Sequence, residues 1–281
     1  MTLSNIIGIA ICQLINPALT TEASRVPDMI LYIAIISTPV CISALAIASK
    51  PPTPPSPSGE TEKFPLCEGL LSLLKNLDFL CIFISFAIFV GFFNAFTSLI
   101  EQIMAPYGWS DSQAGIAGAT LTVVGLLSAI LFSFFLDKSQ RYLQSIRTIV
   151  PVVSLSFLSF IFVIHFNSSF AVVAVMCGVL GASAFSLLPL ALELAVECTH
   201  PVSPQLSTGI LWISGQLFGA IFLVTMNALR YPSNEGDPKG NYLRALIFQG
   251  TLSMAAVPLS WVIGRFGQRV NRRLVIDKTN A

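Results

Sequence analysis

The sequence predicts an all-α membrane protein, a helical bundle of about eight transmembrane helices. Three observations carry that prediction. Only 10% of the 281 residues are charged against 54% hydrophobic, and the mean hydropathy is +0.78. A soluble domain carries about 25% charged residues, so this chain cannot cover a water-facing surface. The apolar runs are far longer than the roughly 9–11 residues of a membrane β-strand and suit the roughly 20 of a spanning helix. Lys and Arg fall between the runs with a strong side-to-side bias. The lipid bilayer is therefore the expected partner. A net charge of +1 gives no reason to expect nucleic acid.

Residues 1–21 carry no charge. No basic segment precedes the run and no small-residue cleavage site follows it, so it reads as a membrane helix with Asn5, Gln13, Asn16 and Pro17 inside it, not as a signal peptide. Met29–Ser49 is a second uncharged span, long enough to cross at 1.5 Å per residue. Lys50 to Pro65 reads KPPTPPSPSGETEKFP. Proline this dense excludes helix and sheet and gives an extended, solvated linker. Leu70–Leu77 is apolar apart from Ser72, Lys75 and Asn76 and reads as a short interfacial helix. Six spans follow at about Phe79–Ile100, Ser112–Leu136, Thr148–His165, Phe170–Leu192, Leu206–Ala228 and Ala245–Gly264. Tyr107, Trp109, Tyr142, Tyr231, Tyr242 and Trp261 sit near span ends, as an interfacial belt requires.

Placing the Pro-rich linker inside puts Lys50, Lys63, Lys75, Lys138, Arg141, Arg147, Arg265, Arg269, Arg272, Arg273 and Lys278 on that side. Arg25, Arg230, Lys239 and Arg244 fall outside, so the count is eleven against four. The positive-inside rule then sets both termini in the cytoplasm. Asn167 opens a glycosylation sequon on the outer side, in a loop too short to be modified. Gly178, Ala182 and Ser186 recur every four residues, and Gly115 and Gly219 have small neighbours. Such positions let helix backbones approach. The six cysteines (Cys12, Cys41, Cys67, Cys81, Cys177 and Cys198) show no ligand spacing and read as small packing residues. His165 and His200 lie far apart and make no metal motif. No metal or cofactor is expected.

Charges inside or beside the spans are the functional candidates. No Asp, Glu, Lys or Arg occurs between Arg147 and Glu193; then Glu193 and Glu197 arrive together in LPLALELAVECTHP, Leu188 to Pro201. Their spacing of four puts both carboxylates on one helix face. A charge at the bilayer centre costs roughly 2.5–3.5 kcal/mol on insertion scales. Such a helix turns its charges to a partner, a water-filled cavity or the helix end. Asn94, Ser98 and Glu101 make a polar stripe on the third span, and Trp212 and Gln216 lie four apart on the seventh. Asp137 sits at a helix end with Lys138 and Arg141 beside it. By residues alone these are gate, cavity or plain packing positions.

The segment SFFLDKSQR, Ser133 to Arg141, resembles the loop signature G-x-x-x-D-(R/K)-x-G-(R/K) of the major facilitator superfamily, with Ser133 and Gln140 in place of two glycines. In that superfamily the loop's Asp faces the N-terminus of a helix from the other half, which implies a gating role for Asp137, Lys138 and Arg141. LPLALELAVECTHP is similar to the E-x-x-V-E-x-T-Y-P segment of the heme and choline transporter-related family, the feline leukaemia virus subgroup C receptor family, with His200 where that family has Tyr. LKNLDF, FLDKSQRY and STGILWISGQLFGAIF, Ser207 to Phe222, are similar too.

The resemblance implies a major facilitator type bundle. Its eight spans correspond to helices five to twelve of twelve, so the chain is expected to be N-terminally truncated. Residues 1–49 would be the last two helices of the first half. Residues 50–77 would be the central linker and interfacial segment, 78–265 the six-helix second half, and 266–281 a basic tail. It implies transport of a small organic solute by alternating access through a cavity between halves. Gln216 falls where the family places a substrate-contacting Gln, and Trp212, Asn94 and Ser98 are the further substrate-side candidates. Asn94 stands where choline-binding members have Tyr. Ile6 stands where the family has a second Gln. Glu193, Glu197 and Glu101 are gate or structural charges, and a proton relay through them is the other reading. The rival expectation is a non-transporting fragment, inert, self-associating or binding a longer partner. An intramembrane enzyme would need clustered His, Ser or Asp on facing helices. With His165 and His200 on opposite membrane faces, it is not expected.

Overall fold

The structure is a computed structural model and describes residues 23–44, 64–166 and 169–265. Among them are eight α-helices and no strand: α1 (Val26–Ala44), α2 (Leu66–Lys75), α3 (Leu77–Met104), α4 (Asp111–Ser139), α5 (Tyr142–His165), α6 (Phe170–Thr199), α7 (Pro204–Ala228) and α8 (Leu243–Val262). All but α2 are long and apolar enough to cross a membrane, which makes seven. The span expected in residues 1–21, most of the Pro-rich linker, the basic tail from residue 266, Cys12 and Asn167 lie outside the described residues.

Side-chain caps fix where α3, α4 and α7 begin. The Ser110 hydroxyl accepts from the Gln113 N–H, and the Gln113 side chain accepts from the Ser110 N–H. This reciprocal pair starts α4. The Asn76 side chain accepts from the Phe79 N–H and begins α3 where α2 ends. Ser203 caps α7, with Pro204 fixing its first turn. Three ends reach past the expected apolar runs: α3 runs to Met104 instead of Ile100, α5 begins at Tyr142 instead of Thr148, and α6 runs to Thr199 instead of Leu192. α2 is the expected interfacial helix, starting four residues earlier than its apolar run suggested.

α3 is the central helix: 67% of its membrane window is buried, against 28% for α4. Two seams hold the bundle. Along α3 and α7, a Cβ on Gly91 would lie 3.1 Å from the Gly219 backbone nitrogen, and one on Gly215 would press on Val90 and Phe86. Along α4 and α6, a Cβ on Gly181 would run into the Leu121 carbonyl, and one on Gly125 would lie 3.0 Å from the Gly181 oxygen. The Ser128 and Ser186 hydroxyls bond across the same seam at 3.0 Å. The expected small-residue row is therefore corrected in register. Gly178 has only ordinary contacts and Gly115 has none within 4 Å; Gly181 and Gly125 carry the close approach. Outward-facing Leu131, Phe134 and Val224 are exposed, as only a lipid-bathed bundle tolerates.

Two further expectations change. Cys177 and Cys198 are buried as packing residues, but Cys41 and Cys67 are exposed, because α1 and the outer arc of α2 face away from the bundle. Glu193 and Glu197 do not share one environment. Four residues advance an α-helix about 40° past a full turn, enough to leave Glu193 exposed while Glu197 is buried.

Candidate functional site

A cavity of about 130 Å³ lies between α3, α4, α6 and α7. Its polar groups are Asn94 and Thr97 from α3, Thr122 from α4, and Trp212 and Gln216 from α7; Phe89, Phe93 and Phe185 supply much of the apolar wall. The two seams put them there. Gly91 lies between Phe89 and Phe93, Gly215 sits beside Gln216, and Gly181 and Gly125 bring Phe185 and Thr122 to one side. Phe93 and Phe185 meet edge to face at 5.1 Å and 87°. Trp212 packs edge-on against Phe86 at 5.9 Å and 82°.

The hydrogen bonds leave a defined residue of unused capacity. Thr97 Oγ1 donates to the Phe93 carbonyl at 2.9 Å or the Asn94 carbonyl at 3.1 Å, and Thr122 Oγ1 donates to the Gly118 carbonyl at 3.0 Å. Asn94 Nδ2 is buried and finds no acceptor among the described residues. A buried donor left so is costly.

The structure thus brings Gln216, Asn94 and Trp212 together. Ser98 is a correction: it is exposed, donates to the Asn94 carbonyl at 2.8 Å and does not line the cavity. It lies about 40° round the helix from Asn94, enough to leave it out of the lining. Glu101 is exposed and also off the cavity. Sequence reasoning missed Thr97, Thr122 and the phenylalanines. Phe89, Phe93 and Thr97 recur every four residues beside Asn94, a signal hidden in a helix whose mean composition is apolar throughout.

The gate candidates other than Glu101 lie at the end that carries α2; Glu101 is in the last turn of α3, at the opposite end. Lys138 and Arg141 are exposed there and flank Gln140, which ends α4 in the left-handed conformation at φ 52°. The side chain of Asp137 lies outside the described set. Buried Asp78, at the start of α3, accepts from the Gly264 N–H at 2.8 Å. Arg147 donates to the Ile263 carbonyl at 2.9 Å. Asn76 donates to the Cys198 carbonyl at 3.0 Å, joining α3 to the Glu197 end of α6. At the opposite end the buried Tyr242 hydroxyl lies 2.7 Å from Gln102 Oε1 and 3.0 Å from Asn227 Oδ1, donating to either. Burial pushes this phenol up, with Arg230 pulling the other way, so it stays a neutral donor.

Membrane-length helices packed around a central helix, with a polar-lined cavity between four of them, define a multi-pass membrane protein. The chain belongs to the Major Facilitator Superfamily, whose family model matches residues 1–223. It is 31% identical over 240 residues to Solute carrier family 49 member A3 of Xenopus tropicalis, covering 84% of this chain and 50% of that protein. It is 30% identical over 275 residues to Choline/ethanolamine transporter FLVCR1 of Felis catus, covering 91% and 48%. It is 26% identical over 252 residues to Choline/ethanolamine transporter FLVCR2 of Homo sapiens, covering 84% and 47%. The chain spans about half the length of the curated relatives it matches. The resemblance read from the Glu193–Pro201 and Asp137 segments is borne out by these relatives.

Proposed function

We propose that this chain forms part of a transporter for a small organic solute that works by alternating access. The carrying observation is that Asn94, Trp212 and Gln216 from two separate helices converge on one cavity in a superfamily member. The solute contacts Gln216, Asn94 and Trp212, and Ser98 supports Asn94 from behind. The relatives' printed names, choline and ethanolamine transporters among them, support a small-molecule cargo and no catalytic reaction. Residues 1–49 belong to one half, 50–77 link the halves, 78–265 form the other half, and 266–281 form a tail. Both termini face the cytoplasm, by the eleven-to-four bias in Lys and Arg. The charges at the α2 end (Asp137, Lys138, Arg141, Glu193 and Glu197) and Glu101 at the opposite end of α3 are gating or structural charges, and two copies of the chain self-associate if it works without a longer partner.

Gln216→Ala in a transport-active protein containing this chain tests the reading. Uptake of the transported solute should fall several-fold while surface level holds. Unchanged uptake removes Gln216 from the site.

A further inference from the structure

The end of the bundle that carries α2 sorts its charges by sign. Among the described side chains there, the acids Asp78 and Glu197 are buried, while the bases Lys75, Lys138, Arg141 and Arg265 are exposed. Glu68 and Glu193 are the exposed acids set against them. The sequence continues past Arg265 with Arg269, Arg272 and Arg273 and meets no acid before Asp277. Three bonds gather the helix ends that carry these bases. Asp78 accepts from the Gly264 N–H at 2.8 Å and sets the start of α3 against the end of α8. Arg147 donates to the Ile263 carbonyl at 2.9 Å and adds the start of α5, and Asn76 donates to the Cys198 carbonyl at 3.0 Å and adds the end of α6. Lys75 and Arg265 thus flank one junction, and Arg141 and Lys138 stand at the turn into α5. The bases form a collar.

α2 sets the level of that collar. Gly69 faces Val202 and Leu206 at the start of α7, which fixes how the helix is rolled. Leu66, Leu70, Leu71 and Leu74 are then exposed on the outer arc, with Lys75 at its edge. An arc of leucines in the acyl region holds the Lys75 ammonium at headgroup height. Anionic lipids attract Lys and Arg placed there. We propose that this collar is a lipid-docking surface that selects anionic phospholipid headgroups over zwitterionic ones. With the orientation proposed above, the cytoplasmic leaflet supplies them.

Lipid-specific quenching tests this. The full 281-residue chain has three tryptophans, and Trp261, exposed at the end of α8, reports on the collar. Trp109→Phe and Trp212→Phe leave it as the emitter. Nanodiscs are made with phosphatidylserine or phosphatidylcholine brominated high on the acyl chain, each diluted into unbrominated phosphatidylcholine. Both leaflets have one composition, so the result does not depend on the proposed orientation or on transport. Brominated phosphatidylserine should occupy the sites beside Trp261 about 2–5-fold more strongly, the upper figure being what one Lys or Arg contributes at an anionic surface. Raising salt to about 1 M, where screening acts within about 3 Å, should abolish the preference. So should Lys75→Gln, Lys138→Gln, Arg141→Gln and Arg265→Gln made together; if that chain fails to fold, Lys75→Gln with Arg265→Gln should at least halve it. Trp109 as the only emitter, at the opposite end, should show no preference. Equal quenching by the two lipids at Trp261 overturns the proposal. So does an equal preference at Trp109, or a preference that neither salt nor a folded variant reduces.

Discussion

Adding one methyl group at Gly181 should cost far more than adding one at Gly178, three residues earlier on the same helix. A Cβ on Gly181 would overlap the Leu121 carbonyl oxygen, with the carbonyl carbon 2.8 Å and the Leu121 Cα 3.0 Å away. These are backbone atoms of α4 and cannot swing aside. A Cβ on Gly178 would meet only the methyl groups of Thr120 and Val124, at 3.6 Å or more. Carbon atoms pack best at about 3.5–4.0 Å. Gly178→Ala therefore fits as the helices stand, whereas Gly181→Ala forces α4 and α6 apart. Overpacking of this kind costs about 1–3 kcal/mol, and the Gly178 change should stay within about 0.5 kcal/mol. At roughly 2–4 °C per kcal/mol for a chain near this size, Gly181→Ala should lower the Tm in detergent by roughly 2–12 °C and Gly178→Ala by about 2 °C at most. Thermal unfolding followed by circular dichroism reads both. Equal losses, or a larger loss at Gly178, would refute the assigned register of the seam.

Asp78→Ala removes the acceptor for the Gly264 N–H and should destabilise by about 1.5–3 kcal/mol, as expected for a bond to a charged group; Asp78→Asn, which keeps an acceptor oxygen, should cost less, and equal costs in denaturant unfolding would discount the bond. Gln140→Gly should raise stability by roughly 0.5–1 kcal/mol, because an L-residue at φ 52° carries strain that glycine relieves; a lower Tm would show the side chain to be needed there. On α2, Leu70, Leu71 and Leu74 are exposed on one arc while Glu68, Ser72 and Lys75 lie on another. In a chain whose native cysteines are replaced, a thiol at Leu74→Cys should react slowly with a charged maleimide in membranes and one at Ser72→Cys quickly; similar rates would reject an interfacial placement.

The bundle was legible because bilayer crossing imposes one crude demand, a long apolar run, and the chain meets it repeatedly. Gln216 was legible from the resemblance, which puts a substrate-contacting Gln there, and Trp212 lies four residues from it on the same helix. What the sequence hid is what depends on a second helix. The row Gly178–Ala182–Ser186 marks a small-residue face but does not say which member meets a backbone. That depends on the rotation of α6 against α4, and the answer, Gly181, is a residue outside the row. The pair Glu193 and Glu197 shows the same limit: a spacing of four specifies a face to within about 40°, and the boundary between buried and exposed falls inside that arc. Asp78 looked like an ordinary acidic residue in a helix's first turn, and its partner Gly264 lies at the far end of the sequence.

The two glycine seams and the cavity are one arrangement. Gly91, Gly215 and Gly219 draw α3 against α7, and Gly125 and Gly181 draw α4 against α6. The cavity opens where these pairs flank each other, lined by Asn94 and Gln216 from one pair and by Thr122 and Phe185 from the other. In lipid no hydrophobic force presses helices together, so contact area and polar bonds must do so. A helix pair brought to backbone contact gains that area without using its polar side chains on its partner. Ser128 and Ser186 do bond across a seam, yet Gln216, next to Gly215, stays exposed in the cavity wall. Close packing through glycine is thus what allows this bundle to hold together and still leave hydrogen-bonding capacity for a solute. A substitution in either seam should alter ligand binding even though the altered residue touches no ligand.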